Sequence, residues 1–217
     1  MAEVFKANKV FFVLYGIFLI AGGIWQVVWS PTQIFLVING ANHPFFDTFF
    51  QYFTNVGDGA FFAAVIILFL FIRYRYVLIG LGSFALSSLL AQGLKRLVFA
   101  DVLRPKAVFE GSSYTLHWVA GLEIHSSHSF PSGHATTAFA VFSLLSIILK
   151  NQLSGFLFFT LAFLAAYSRV YLGQHFFADI YAGSFIGVSS TVLMYLVIER
   201  LLERNPKNWY QQNILRL

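Results

Sequence analysis

Twenty uncharged and mostly apolar residues run from Val10 to Trp29, and this run constrains the fold of the chain more than any other feature. A helix of about 20 apolar residues is long enough to cross the hydrocarbon core of a bilayer. Lys6 and Lys9 precede the run, and Pro31 ends it. Because no small-residue cleavage site follows, we expect a retained membrane-spanning helix rather than a signal peptide that is removed.

Further apolar runs indicate that the chain crosses the membrane several times. Of its 217 residues, 58% are hydrophobic and only 11% are charged, which is too apolar for an ordinary soluble domain. We predict an all-α polytopic membrane protein with six transmembrane helices in a bundle, forming a single domain over residues 1–217. The predicted spans are residues 10–29, 61–72, 76–94, 134–150, 152–168 and 178–199. The absence of cysteine excludes disulfides and thiolate chemistry.

The loop after the first span carries an aromatic pattern. Within residues 31–59, Pro44 is suited to the first position of a short helix. Such a helix would place four aromatic side chains on one face: Phe45, Phe49, Tyr52 and Phe53. The pattern favours a helix at the membrane interface, although a loop packed over the helix ends is equally consistent with it.

Ionisable residues cluster at the ends of the later apolar runs, between Ser129 and Asp179. Charged groups at the border of a membrane are costly, so each is a functional candidate. His175 and Asp179 are four residues apart and share one face if the last helix begins near them. A carboxylate bonded to one imidazole nitrogen holds the tautomer and leaves the other nitrogen free as a nucleophile.

Anion-binding groups lie near this pair. Ser132 and Gly133 fall where the fourth span begins, and free amide groups and the helix dipole favour an anion there. His134, one residue further, is placed to donate a proton to a leaving group. Arg169 ends the fifth span, and its planar guanidinium matches the geometry of phosphate oxygens.

Lys95 and Arg104, at the end of the third span and in the loop that follows, would complete the positive field around a phosphate. Phosphoryl transfer needs three charged oxygens to be held, an in-line nucleophile and neutralisation of developing charge. Three cationic side chains and a helix N-terminus supply these without a metal ion. We therefore predict a phosphoryl-transfer site with no metal and no cofactor.

The placement of basic residues predicts the orientation. Six spans put both termini on one side, together with nine of the 14 Lys and Arg residues: Lys6, Lys9, Arg73, Arg75, Lys150, Arg200, Arg204, Lys207 and Arg216. By the positive-inside rule, that side is cytoplasmic and the first loop, with its short helix, is extracytoplasmic. The five exceptions lie beside the phosphate-binding candidates: Lys95, Arg96, Arg104, Lys106 and Arg169. They indicate an anionic ligand at the extracytoplasmic face.

The motifs resemble the three-part signature of the type 2 phosphatidic acid phosphatase (PAP2) family. Its Pro-Ser-Gly-His pattern matches residues 131–134, and its pattern Ser-Arg, five residues, His, three residues, Asp matches residues 168–179 without gaps. In the first part a Lys is followed by six residues and then Arg-Pro, whereas eight residues separate Lys95 from Arg104 here. Arg96, which seven residues separate from Arg104, is the alternative for that Lys. The combined motifs are far more specific than Pro-Ser-Gly-His alone, and the six-span layout resembles the integral-membrane branch.

The resemblance implies a role for each site residue. His175 would attack phosphorus to form a phosphohistidine, Asp179 would orient it, and His134 would protonate the leaving group and then activate water. The phosphate ligands would be Lys95, Arg104, Ser132, Gly133 and Arg169.

The implied activity is hydrolysis of a lipid phosphate or diphosphate at the outer face of a bacterial cytoplasmic membrane. Candidate substrates are undecaprenyl diphosphate, phosphatidylglycerol phosphate, phosphatidic acid and lipid A phosphate, and chain size favours the first two by analogy. We expect the substrate lipid and the bilayer as partners, and no nucleic acid. A phosphotransferase that passes phosphate to a lipid or sugar acceptor is the alternative. A lipid-binding protein without activity is disfavoured, because every catalytic position holds a competent residue.

Two further patterns have structural interpretations. Gly183 and Gly187 follow Asp179 at intervals of four, which is typical of close helix packing through small residues. Three loop histidines are expected to be solvated or hydrogen-bonded rather than metal ligands: His117, His125 and His128.

Overall fold

The computed structural model describes residues 6 and 8–216, and these residues form helices and connecting loops without a strand. The helices are α1 (Lys9–Val28), α2 (Pro31–Gly40), α3 (Pro44–Phe53), α4 (Gly59–Leu70), α5 (Tyr74–Gly93), α6 (Pro105–Val108), α7 (Gly133–Leu149), α8 (Gln152–Tyr171) and α9 (Phe177–Arg204). Short turns of 3-10 helix lie at Thr54–Gly57, Asn208–Gln211 and Ile214–Arg216, and a π-helical turn lies at Leu94–Val98. The predicted all-α class is confirmed.

Within residues 6 and 8–216, four or five candidate spans are found by helix length and composition. α1, α8, α9 and the continuous stretch Tyr74–Val98 are each long and apolar enough to cross a membrane. Pro44–Gly57 and Gly59–Leu70 meet at 55° and add a fifth span if they are one broken helix. Two of the six predicted spans, α4 and α7, have only 12 and 17 residues. At 1.5 Å per residue, both are shorter than a hydrocarbon core of about 30 Å.

The segment between α1 and α3 holds a helix that we did not predict. α2 begins with a capping box, in which the Ser30 hydroxyl accepts from the amide of Gln33 and the Gln33 side chain accepts from the amide of Ser30. Pro31 occupies the first helical position. Serine followed three residues later by glutamine is a recognised start signal, so the sequence contained this information. α3, by contrast, is helical as predicted.

α7 lies at the centre of the bundle, with twelve of its 17 residues buried. α9 packs against it through the two glycines at intervals of four. A Cβ on Gly183 would lie 2.6 Å from the carbonyl oxygen of Ser132, and a Cβ on Gly187 would lie 2.3 Å from that of Thr136. The small-residue interpretation is therefore confirmed. This close approach brings the start of α7 against the first turn of α9, where the amide of Ser132 donates to the carbonyl of Asp179 at 3.0 Å.

The long loop between the π-helical turn and α7 folds over the turn that joins α8 to α9. The side-chain amide of Gln174 donates to the carbonyl of Glu123 at 2.8 Å. Gly173 has φ +71°, and a Cβ there would lie 2.3 Å from the ring of Trp118. Only glycine satisfies both the left-handed backbone and this close ring contact. The loop is thus held in place beside His175.

Candidate active site

His175 and Asp179 form a buried pair at the start of α9. Nδ1 of His175 lies 3.1 Å from Oδ2 of Asp179, and the two residues are only 2% and 3% exposed. Asp179 occupies the third position of α9, and its Oδ2 also accepts from the amide of Phe176 at 3.0 Å and from the hydroxyl of Ser129. Because the carboxylate engages Nδ1, the lone pair for chemistry is at Nε2.

The imidazole of His175 is neutral in this setting. Burial lowers the pKa of His175 to about 3, and the hydrogen bond to Asp179 opposes this shift only in part. Desolvation penalises the charged form of a histidine, and the nearby guanidinium groups of Arg104 and Arg169 act in the same direction. A neutral imidazole is the form that can attack phosphorus.

The start of α7 presents the Pro-Ser-Gly-His motif to the same region. Ser132 is fully buried and is the N-cap of α7, with its hydroxyl accepting from the amide of Ala135 at 3.4 Å. Gly133 and His134 are the first two helical residues, whose amides lack an intrahelical acceptor. Gly57 closes this corner, since a Cβ there would lie 2.8 Å from the carbonyl oxygen of His134. The helix N-terminus is therefore positioned for an anion.

Arg169 is buried in the last turn of α8. Its Nη1 donates to the hydroxyl of Thr54 at 2.8 Å, and its buried Nε has no hydrogen-bond partner in the part of the chain that the structure describes. An unpaired donor on a buried cation is costly. An anionic ligand would satisfy it, which agrees with the predicted role in holding phosphate.

Arg104 donates hydrogen bonds to backbone carbonyl groups, which the sequence did not predict. Its Nε donates to the carbonyl of Ser127 at 2.9 Å, and its Nη1 donates to the carbonyl of Gln174 at 3.1 Å. It therefore joins the long loop to the turn that carries His175. Its charge acts on His175 while its guanidinium fastens the loop, so it has both an electrostatic and a structural role.

Lys95 and Arg96 differ in their surroundings. Lys95 is half-buried, and its electrostatic neighbours include Arg104, Asp179 and Arg169, whereas Arg96 is exposed. Both belong to the π-helical turn, which is closed by a 2.8 Å bond from the amide of Phe99 to the carbonyl of Leu94. A π turn holds more residues than an α turn. It accommodates part of the longer spacing between Lys95 and the Arg-Pro motif.

His134 faces the same cations as His175. Lys95, Arg104 and Arg169 are all close enough to act on it electrostatically. Its Nε2 lies 3.8 Å from Oδ2 of Asp58, at the start of α4. The residues predicted from three separate motifs therefore converge at one end of the bundle.

Four residues around this site were not predicted: Thr54 beside Arg169, Asp58 beside His134, Gln174 beside Arg104, and Ser129 beside Asp179. Ser129 lies two residues before the Pro-Ser-Gly-His motif, so proximity to the motif was a usable signal. Thr54 is 115 residues from Arg169 in the sequence and carried no such signal.

Two of the three loop histidines, His117 and His125, lie beside acidic side chains. His117 bonds through Nε2 to Asp47 at 2.9 Å, and Asp47 also accepts from the hydroxyl of Tyr171. His125 is exposed and lies 3.8 Å from Glu123. Within residues 6 and 8–216, no group of three or more His, Asp or Glu side chains is arranged to hold a metal ion.

Several known proteins are similar to this chain. Lipid A 4'-phosphatase of Porphyromonas gingivalis is 27% identical over 172 residues, covering 76% of this chain and 71% of that protein. Lipid A 4'-phosphatase of Bacteroides thetaiotaomicron is 26% identical over 178 residues, covering 80% and 79%. The crystal structure of Aquifex aeolicus LpxE matches with a TM-score of 0.66 and 28% identity, covering 75% of this chain and 93% of that one.

The family assignment rests on the segment that contains every motif. The model of the PAP2 superfamily matches residues 76–203, which is more than half of the chain. This segment runs from α5 to the end of α9 and includes the histidine pair, the cations and the start of α7. The chain therefore belongs to the PAP2 superfamily, and it is a phosphoric monoester hydrolase of the membrane PAP2 type.

Proposed function

We propose that the protein hydrolyses the phosphate monoester of a membrane lipid through a phosphohistidine intermediate on His175. The observation that carries this proposal is the His175–Asp179 pair, buried beside two guanidinium groups. Burial, a bonded carboxylate and nearby cations are the conditions that make an imidazole a nucleophile toward a phosphate dianion. Lys95, Arg104, Arg169 and the start of α7 (Ser132 and Gly133) would hold the three phosphate oxygens.

The reaction would proceed in two displacements. Nε2 of His175 forms a bond to phosphorus while the bond to the lipid oxygen breaks, and His134, whose protonated form the bound phosphate dianion favours against the neighbouring cations, gives its proton to that oxygen. Water then attacks phosphorus, neutral His134 takes a proton from the water, and the P–N bond breaks to release inorganic phosphate. The second step restores both histidines.

Phosphorylated lipid A is the first substrate to test, because two curated relatives that cover most of this chain carry the name lipid A 4'-phosphatase. Chain size had favoured undecaprenyl diphosphate or phosphatidylglycerol phosphate, so both belong in the same panel, together with phosphatidic acid. These lipids share a terminal phosphate at the membrane surface, which is what the cations would recognise.

The proposed topology is a single domain of six spans with cytoplasmic termini and an extracytoplasmic site in a bacterial cytoplasmic membrane. In this arrangement the short helices α4 and α7 count as spans, and the start of α7 lies below the membrane surface. α3 would lie at the interface, with the aromatic side chains of Phe45, Phe49 and Tyr52 facing lipid. The position of basic residues supports this orientation.

Phosphate release by purified protein in detergent, measured across that panel, tests the proposal. His175→Asn should lower turnover by at least about a thousandfold, because loss of a covalent nucleophile removes the main reaction path. His125→Asn, which replaces an exposed histidine in a loop, is the matched control and should retain activity. Acid-labile, base-stable labelling by ³²P-lipid of the native protein, absent in His175→Asn, identifies the intermediate.

Two outcomes would redirect the proposal. Phosphorylated acceptor in place of free phosphate would make the protein a phosphotransferase. Activity near the native level in folded His175→Asn would remove His175 from the nucleophile role. Inhibition by vanadate together with full activity in chelator is expected from a site that uses cationic side chains, and loss of activity in chelator would indicate a metal.

A further inference from the structure

A cavity of about 270 Å³ lies beside His134. It forms where the starts of α4 and α7 meet one face of α5. Its polar lining consists of His134, Asp58, Ser88, Gln92, Thr136 and Thr137, of which Thr136 donates its hydroxyl to the carbonyl of Ser132. No Lys or Arg of the described chain is part of this lining, although Lys95, Arg104 and Arg169 are electrostatic neighbours of His134.

Asp58 is held in a defined position at the edge of this cavity. It is the N-cap of α4, and its Oδ1 accepts from the amide of Ala60 at 2.8 Å. Its Oδ2 lies 3.8 Å from Nε2 of His134. The cap therefore fixes a carboxylate oxygen beside the ring that must reach the leaving group.

The position of His134 determines where the leaving group lies. A general acid must be within hydrogen-bond distance of the oxygen that it protonates. The cavity that His134 and Asp58 line is open to atoms attached to that oxygen, and its lining holds no Lys or Arg of the described chain that would bind a second phosphate. This step rests on the proposed function, in which His134 is the acid.

We propose that this cavity is a leaving-group subsite for an uncharged, hydroxyl-bearing head group, such as a sugar or a glycerol. Asp58 is its specificity-determining residue and selects against a leaving group that carries a second phosphate. The cavity would thus make phosphorylated polyol lipids better substrates than lipid diphosphates.

The chemistry of the lining carries this assignment. A carboxylate oxygen accepts hydrogen bonds from hydroxyl groups, and the Ser88, Gln92 and Thr137 side chains add neutral donors and acceptors. None of these three side chains is bonded to another described residue, so they are available to a ligand. A lipid diphosphate would instead place a departing phosphate beside Asp58 without a compensating cation. The cavity would therefore attract a hydroxyl-bearing leaving group through hydrogen bonds and repel a departing phosphate through the charge of Asp58.

The test compares two lipids in the same detergent: lipid A 4'-phosphate, which has a sugar leaving group, and undecaprenyl diphosphate, whose leaving group is a phosphate. The measured quantity is the ratio of kcat/KM for the first to kcat/KM for the second. The native protein should favour lipid A phosphate. Asp58→Asn should lower this ratio by about tenfold, as expected for removing one charge several ångströms from another at an intermediate dielectric.

Asp58→Asn suits the purpose because asparagine also caps helices, so α4 keeps its first turn. Gln92→Lys is the reciprocal variant, since it adds a cation to the cavity at an exposed position and should lower the same ratio. Asp101→Asn makes an equal change in net charge at an exposed loop residue and should leave the ratio unchanged. Comparing ratios between variants cancels the difference between the two lipid tails.

Three results separate this inference from the function on which it rests. An equal fall in both kcat/KM values in Asp58→Asn would overturn the specificity role, because the residue would then act only through His134. A native protein that prefers the diphosphate would also overturn it, while phosphate release dependent on His175 would leave the proposed function standing. Absence of phosphate release from every lipid would instead remove the proposed function.

Discussion

Arg169 donates a hydrogen bond of 2.8 Å from Nη1 to the hydroxyl of Thr54, a residue 115 positions earlier in the chain. Both side chains are buried, and Thr54 lies in the 3-10 turn between α3 and α4. This contact fixes one corner of the guanidinium and leaves its Nε without a hydrogen-bond partner among the residues that the structure describes. The turn after the aromatic helix is therefore part of the site, although it carries no PAP2 motif.

Thr54→Val keeps the shape of the side chain and removes the acceptor for Arg169. A hydrogen bond to a charged group contributes about 1.5–3 kcal/mol, so we expect vanadate to bind at least about tenfold more weakly. KM for the lipid phosphate should rise more than kcat falls. Thr48→Val is the matched control, because the Thr48 hydroxyl bonds only to its own helix, at the carbonyl of Pro44. Equal vanadate affinity in the two variants would show that Thr54 does not position Arg169.

Asp179→Asn preserves the size of the side chain and removes its charge. The neutral amide no longer stabilises the positive charge that develops on His175, and it can hold the ring in the wrong tautomer. By analogy with carboxylates that orient a catalytic histidine, kcat should fall by about a thousandfold or more. Asp101→Asn controls for the change in net charge. Turnover within a few fold of native in a folded Asp179→Asn protein would argue against the proposed pair.

Lys95 and Arg96 offer a direct comparison of two adjacent cations. Lys95→Met should lower kcat/KM by at least about a hundredfold, as for removal of one group that stabilises transition-state charge. Arg96→Met should have little effect, because that side chain is exposed. Both variants are assayed for phosphate release at the same ionic strength. A larger loss of kcat/KM in Arg96→Met than in Lys95→Met would assign the role of the Lys in the first motif to Arg96.

Gly187→Ala tests the packing that joins α7 to α9. The added methyl would meet the carbonyl oxygen of Thr136 at 2.3 Å, which neither helix can avoid without moving. Overpacking of this kind costs about 1–3 kcal/mol, so thermal unfolding in detergent should occur at a clearly lower temperature.

Gly16→Ala in α1 is the control for that packing test, because nothing lies within 4 Å of its added Cβ. Alanine at such a helical position is expected to stabilise by about 0.5–1 kcal/mol. Gly187→Ala should also lose activity and Gly16→Ala should keep it, because movement of α9 displaces Asp179 from Ser132. Unchanged unfolding of Gly187→Ala would contradict the close packing.

Local patterns in the sequence were sufficient for several features of the site. His175 and Asp179 face each other because a spacing of four places two side chains on one face of a helix. Ser132 caps α7 because a serine before an apolar run satisfies amides that the helix leaves unpaired. The glycines at intervals of four in α9 predicted its close packing for the same local reason. Hydropathy predicted a helical membrane protein, although the short helices α4 and α7 do not reach bilayer length.

Other features depend on contacts that no local pattern encodes. Thr54 meets Arg169, and Asp58 meets His134, only because α7 and α8 pack against the segment between α3 and α4. The difference between Lys95 and Arg96 likewise follows from the direction in which a π-helical turn points each side chain. A charge, a hydroxyl or a histidine has the same local propensities whether it lies in solvent or in a site. The sequence by itself therefore determined which residues are candidates for the proposed chemistry, and the packing of helices determined which residues position them.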